Sequence, residues 1–381
     1  MPGISSVVMA ITGAGFGWLI GRITKKTDFS QPSEQCVSFY REMSQLDGEA
    51  SDKAVAILER LIEQDSSTID ASLSLAALFR RKGEIDKAIA LHQKVLAHQS
   101  LSGELKNQVL YQLGQDYLAA GLLCRAENIF EELKKHNEIG SQSTEQLLTI
   151  YKKTAEWEKA IALLCGKGQK KADLERLNSL AHCYCEMADQ SLAKGEIHAA
   201  IKLYTQANKA VSKHTRAELG LAKCLLLTRQ YGESEQYVEH IVETNRERID
   251  EALRILEDIY RAQDNGDGFL QKLEELLNQS SSVDLVEFYC DALIARNKHS
   301  ALSAFLVPRL DASADIRLYL KWFESLPDKD AVLGHLHYKL ISMNEESRVY
   351  LCSNCGLKTH MLSWKCPGCE QWETLNQVSG I

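Results

Sequence analysis

The chain has 381 residues, of which 45% are hydrophobic and 25% charged, with a formal net charge of −8. These proportions exclude wholesale disorder and a multi-spanning membrane protein, and the negative balance argues against a broad nucleic-acid-binding face. Five prolines over this length are few for a strand-rich fold.

Residues 3–21 carry no charged side chain. As a helix they extend roughly 28 Å, close to the hydrocarbon thickness of a bilayer. Trp18 stands near one end, Arg22, Lys25 and Lys26 follow at once, and no basic residue precedes the segment. The positive-inside rule then puts the N-terminus outside and the bulk of the chain in the cytoplasm. A cleaved signal peptide would need a basic start and a small-residue exit, and both are missing. A buried core helix is the plainer alternative. Gly13, Gly17 and Gly21 share one face at a spacing of four, a pattern that lets helices approach closely in lipid. We expect a transmembrane anchor over residues 1–23 and a short polar tether over 24–35.

From there a helical period of about 34–40 residues runs through most of the chain. The clearest unit carries Leu75, Ala76 and Phe79 on its first helix, Gly83 at the turn, and Ala88, His92 and Val95 on its second. The next repeats the plan with Leu113, Gly114 and Tyr117, then Gly121, then Ala126 and Phe130. Further units run through Tyr151 and Trp157, Gly195 and Tyr204, and Leu221 and Tyr231, with weaker ones around 256–276 and 288–306. This pattern resembles the tetratricopeptide repeat. Small residues let paired helices approach, aromatics fill the gaps, and each pair needs a neighbour to cover its apolar face. Stacking would curve the array and line a concave groove with the first helices. Arg80, Arg81, Tyr111 and Gln115 are the residues expected to face a partner there, although Arg80 and Arg81 also read as solvated helix positions. His182, Cys183 and Cys185 read as core filling, because residues 183 and 185 point in different directions on a helix.

Of the eleven cysteines, Cys36, Cys124, Cys165, Cys183, Cys185, Cys224 and Cys290 fall in helical patterns and read as small buried hydrophobes. The other four form two C-x-x-C pairs, Cys352 with Cys355 and Cys366 with Cys369. That spacing is the signature of a closed tetrathiolate site for one metal ion, zinc or iron. Disulfides and a redox dithiol are the alternatives, and a cytoplasmic address disfavours the first. Gly356 and Gly368 suit the knuckle turns. Tyr350, Leu362, Trp364 and Trp372 are expected to pack around the knuckles, with His335, His337 and His360 as non-ligands.

The two knuckles resemble rubredoxin, on Cys352, Cys355 and Gly356 with Cys366, Pro367 and Cys369. The whole arrangement is therefore expected to be mainly α: an anchor over 1–23, a tether over 24–35, a tetratricopeptide-repeat superhelix over 36–345, and a rubredoxin-like metal-binding domain over 346–381. Anchor, array and knuckle in this order, with G-W-x-x-G-R at 17–22 and S-W-K-C-P-G-C at 363–369, resemble the lipopolysaccharide assembly protein B family. The resemblance implies a cytoplasm-facing inner-membrane adaptor of Gram-negative bacteria. Its implied partners are the FtsH membrane protease and the LpxC deacetylase whose degradation it promotes, lipopolysaccharide synthesis and transport proteins, and an inner-membrane sensor. If so, the knuckle is expected to pack back on the last repeats and fix the groove. A rubredoxin-like electron carrier and a general peptide-binding scaffold for envelope assembly are the alternatives. No nucleophile–base pair, phosphate loop or open metal site is evident, so a non-enzyme is expected, without nucleic acid. Arrays of this kind occur as monomers and as homodimers.

Overall fold

The structure, a computed structural model, describes residues 55–59, 62, 69–97, 101–166, 174–279, 282–310, 315–325, 338, 340–341 and 349–378. The expected anchor with Gly13, Gly17 and Gly21, the tether, Cys36, His335 and His337 all lie outside these residues. Among the described residues no helix is long and apolar enough to cross a membrane. The chain divides into two compact units, residues 1–154 and 155–381.

The first unit is built from antiparallel helix pairs. Helix α1 (Ile69–Arg81) packs on α2 (Ile85–Leu96), and α3 (Gly103–Ala119) on α4 (Leu123–Leu133), with α5 (Gly140–Lys153) against α4. The residues expected to form the core do so: Leu75, Ala76, Phe79, Ala88, His92, Val95, Leu113 and Phe130 are all buried. Gly114 is needed for close approach, since a Cβ there would fall 2.7 Å from Phe130 Cζ. The α3–α4 pairing thus depends on a missing side chain.

The second unit continues the plan. It holds α6 (Trp157–Leu164), α7 (Leu174–Ala193), α8 (Ile197–Ala210), α9 (Thr215–Leu227), α10 (Tyr231–Thr244), α11 (Ile249–Ala262), α12 (Gly266–Gln279), α13 (Val283–Ala295), α14 (His299–Leu310) and α15 (Ile316–Ser325). The two repeats that look weakest in sequence, α11–α12 and α13–α14, contribute most of the largest core cluster, including Leu256, Ile259, Phe269, Leu273 and Leu293.

One turn recurs between successive helices. A residue with positive φ stands at Gly83, Gly121, Ala155, Gly195, Arg229, Asp264 and Asn297, at intervals of 33–40 residues. In six of these turns the next N–H donates back to a carbonyl five residues earlier, as Glu84 does to Phe79 and Gln230 to Leu225. This is the Schellman cap, which satisfies the last carbonyls of the first helix and reverses the chain. Sequence reading finds the three glycines. It does not find the four turns in which alanine, arginine, aspartate and asparagine hold the same strained conformation.

The chain ends in a small antiparallel sheet of order β2-β1-β3, with β1 (Val349–Cys352), β2 (Lys358–Thr359) and β3 (Leu375–Val378). Tyr350 pairs with Thr359, and Cys352 with Leu375.

Candidate metal centre and its docking face

The sheet carries the four cysteines on two matching knuckles. In the first, Cys352 N–H donates to Leu357 O and Gly356 N–H to Cys352 O; in the second, Cys366 N–H donates to Gln371 O and Glu370 N–H to Cys366 O. Gly356 (φ 71) and Glu370 (φ 58) occupy the same left-handed position. Gly368 instead has a packing reason, since a Cβ there would crowd Leu357 Cδ2 at 3.1 Å. Backbone N–H groups of Cys355 and Gly368 point at the sulfurs of Cys352 and Cys366, each at 3.4 Å. Such donors favour thiolate over thiol. The Thr374 hydroxyl, 3.2 Å from Cys352 Sγ, is the largest influence holding that thiol down to about 6.

The donor set fits one ion. All four sulfurs lie within 4.8 Å of one another, with 3.6 Å between Cys352 and Cys369 and 3.8 Å between Cys355 and Cys366. A tetrahedron of metal–sulfur bonds near 2.3 Å has edges of about 3.8 Å. Four thiolates would complete the coordination shell, so this centre organises structure rather than activating substrate.

Tyr350 and Leu362 pack on the knuckle core of Cys352, Cys366 and Leu375, as expected. Trp364 and Trp372 do not. Trp364 packs against the core of the repeats instead, and Trp372 lies flat on His182 of α7, with ring centroids 4.5 Å apart and planes 4° from parallel. Arg216, near the start of α9, stands 5.4 Å from the Trp372 centroid and 5.9 Å from that of Trp364. Arg248, just before α11, stands 3.8 Å from the Trp364 centroid. Among the described residues, the ring and charge contacts of the knuckle fall on α7, the start of α9 and the start of α11, in the middle of the second unit. The physical reason is local. Two indoles flank the second cysteine pair, and these helices offer buried cationic and imidazole faces that complement them.

The arginines are held from behind. Arg216 Nη2 donates to Glu186 Oε1 at 2.9 Å and Asp189 Oδ2 at 2.6 Å, and Arg248 Nη1 to Glu251 Oε1 at 2.7 Å. Tyr204 donates to Asp189 from α8. Glu373, in a left-handed conformation (φ 53), turns its carboxylate towards His182 and His214. His182, Cys183 and Cys185 are buried as expected, but His182 also serves this interface. Of the other cysteines, Cys224 and Cys290 are buried, whereas Cys124 and Cys165 are exposed, contrary to the sequence reading. Cys124 is the second residue of α4 and Cys165 caps α6, and both lie off the buried stripes of Ala126, Phe130 and Leu133 and of Trp157, Ala160 and Leu164. A cleft of about 690 Å³ lies beside the interface, lined by Asn178, Ser179, His182, Asn354, Gln371 and Glu373 among others.

Residues 350–377 match the rubredoxin metal binding domain, and 191–259 the tetratricopeptide repeat. The chain is 26% identical to lipopolysaccharide assembly protein B of Escherichia coli K12 over 97% of its own length and 96% of the relative's. It is 31% identical to lipopolysaccharide assembly protein B of Haemophilus influenzae, with 96% of each chain covered. The chain belongs to the lipopolysaccharide assembly protein B family. Among solved structures, it is similar to the C-terminal part of a tetratricopeptide-repeat protein from Cytophaga hutchinsonii. That match has 11% identity and a TM-score of 0.44, covering 67% of this chain and 98% of the other.

In this member of the lipopolysaccharide assembly protein B family, the residues expected at the groove have varied surroundings. Arg80 donates to buried Asp116 Oδ1 at 2.6 Å and to Gln112, while Asp116 Oδ2 meets His92 Nδ1 at 2.5 Å. Arg80 is thus bound into the packing of α1 on α3. Arg81 is exposed. Tyr111 and Gln115 are half-buried and bond to each other, Gln115 Nε2 donating to the Tyr111 hydroxyl at 3.1 Å.

Proposed function

We propose that this chain is a membrane-anchored, cytoplasm-facing adaptor in lipopolysaccharide assembly that promotes degradation of the LpxC deacetylase by the FtsH protease. Residues 1–23 confine it to the inner membrane and 24–35 tether the array over 36–345, which raises its effective concentration for membrane partners. The four cysteines of 346–381 hold one zinc or iron ion, and the knuckle so formed braces the array. Partner segments, among them lipopolysaccharide synthesis and transport proteins and an inner-membrane sensor, meet the first-helix face around Arg81, Tyr111 and Gln115. The chain works by holding partners and not by catalysis.

The observation that carries this reading is the end-to-end match with relatives named for lipopolysaccharide assembly, on a repeat array of the kind that binds protein segments. The test is a pull-down of the full-length chain from membranes, beside a chase of LpxC with and without it. FtsH should co-purify, and LpxC should persist when the chain is depleted. Unchanged LpxC lifetime with no protease recovered would refute the proposal.

A further inference from the structure

Where the knuckle meets the repeats, two buried imidazoles and one carboxylate converge. His182 and His214 are buried, and their rings meet edge to face at 4.7 Å. Nε2 of His182 lies 3.3 Å from Glu373 Oε1, and Nε2 of His214 lies 3.7 Å from the same oxygen. Glu373 Oε1 is the polar atom that faces both Nε2 atoms, and neither makes a well-aligned hydrogen bond to any described residue. Unpartnered buried polar atoms are costly and call for a ligand.

We propose that His182, His214 and Glu373 form a second metal site, distinct from the four cysteines, for a divalent cation of the zinc class. Zinc bonds to nitrogen and oxygen near 2.0–2.1 Å put neighbouring donors about 3.3 Å apart. The three donors here lie within 4.8 Å of one another, two of the contacts at 3.3 and 3.7 Å. Two imidazoles with a carboxylate are a donor set that zinc accepts.

The surrounding charge permits a cation. Of the two arginines on the same indoles, Glu186 and Asp189 engage Arg216 and Glu251 engages Arg248. Ligation through His214 Nε2 places that ring's proton on Nδ1. There it gives up the 3.3 Å bond from Ala217 N–H, and Cys185 Sγ at 4.0 Å becomes its acceptor. The polar cleft at His182 and Glu373 gives the ion its route in. Because the donors come from both sides of the interface, the ion fastens the knuckle to α7 and α9. The site stands whether or not the adaptor reading does.

The test is a cobalt(II) titration of the full-length, metal-stripped, reduced chain in detergent. We expect two equivalents per chain. One gives intense thiolate-to-metal absorption, and the other adds only the weaker bands of a nitrogen and oxygen site. The double variant His182→Gln, His214→Gln should keep the thiolate bands and bind one equivalent. Glu373→Ala, at a half-exposed side chain outside the buried cores, should do the same with unchanged helical circular dichroism. Saturation of the native chain at one equivalent, or a second equivalent that survives in both variants, overturns the proposal.

Discussion

The guanidinium of Arg248 lies 3.8 Å from the centre of the Trp364 ring, the closest cation–ring approach between the knuckle and the repeats. Arg248 is 6% exposed, so the contact is made away from water, where such pairs are worth about 2 kcal/mol. A double-mutant cycle of Arg248→Ala with Trp364→Ala should return a coupling of roughly 1–2 kcal/mol in chemical denaturation. A coupling near zero would mean that the two side chains merely adjoin.

Trp372→Ala should loosen the knuckle without melting it. The indole covers His182 and faces Arg216, and it lies outside the knuckle's own core. We expect a loss of about 2–3 kcal/mol in overall stability, less than for a fully buried tryptophan. Hydrogen exchange should quicken on α7 near His182, while the thiolate–metal absorption persists. Loss of that absorption would show that Trp372 supports the metal centre itself.

Cys366→Ser with Cys369→Ser should abolish the tetrathiolate centre and unfold residues 349–378, because so small a sheet has little core of its own. The helical signal should be retained, since the repeats hold separate cores. Circular dichroism and metal analysis of the purified chain read both outcomes. Colour separates the two candidate metals, oxidised iron in four thiolates being red and zinc colourless.

Acid should weaken the docked state. Burial, with the neighbouring His182 second, pushes His214 down to about 4, below its ordinary 6.5. The unfolded chain therefore takes up a proton that the folded chain refuses. Stability should be level above about pH 6.5 and should fall as the pH drops towards 4, by on the order of 3 kcal/mol from this group. Glu373, held low first by the facing His182, adds a further loss below its ordinary 4.5. Urea midpoints of the chain and of His214→Gln, each supplied with one equivalent of metal for the cysteine site and no more, taken from pH 8 to 4.5, should diverge in this direction. Parallel curves would remove His214 from the account.

The helix-pair turns can be tuned. Arg229 holds a left-handed conformation (φ 62) at a cap where glycine stands in three other repeats. Arg229→Gly should stabilise the chain by about 0.5–1 kcal/mol, and Gly195→Ala should cost about 1 kcal/mol. Thermal melts of the two variants should shift in opposite directions.

What the sequence determined by itself is whatever repeats or clusters along the chain. Phe79, Tyr117 and Tyr151 recur at helical and repeat spacing, so the helices and their buried faces were legible. Cys352, Cys355, Cys366 and Cys369 lie close enough in sequence for their spacing alone to define a common donor set. The tertiary structure decided what depends on surfaces distant along the chain. Trp364 and Trp372 look like partners for the nearest apolar groups, their own knuckle. They pack elsewhere because Arg216, Arg248 and His182 present buried charged and aromatic faces far upstream. The turns at Arg229, Asp264 and Asn297 carry no glycine signal, yet each holds the left-handed position where glycine stands in other repeats. His182 reads as core filling until the fold brings Glu373 to 3.3 Å from its ring. Local periodicity records which face of a helix is apolar; only the stacking of the repeats determines which other surface comes to cover it.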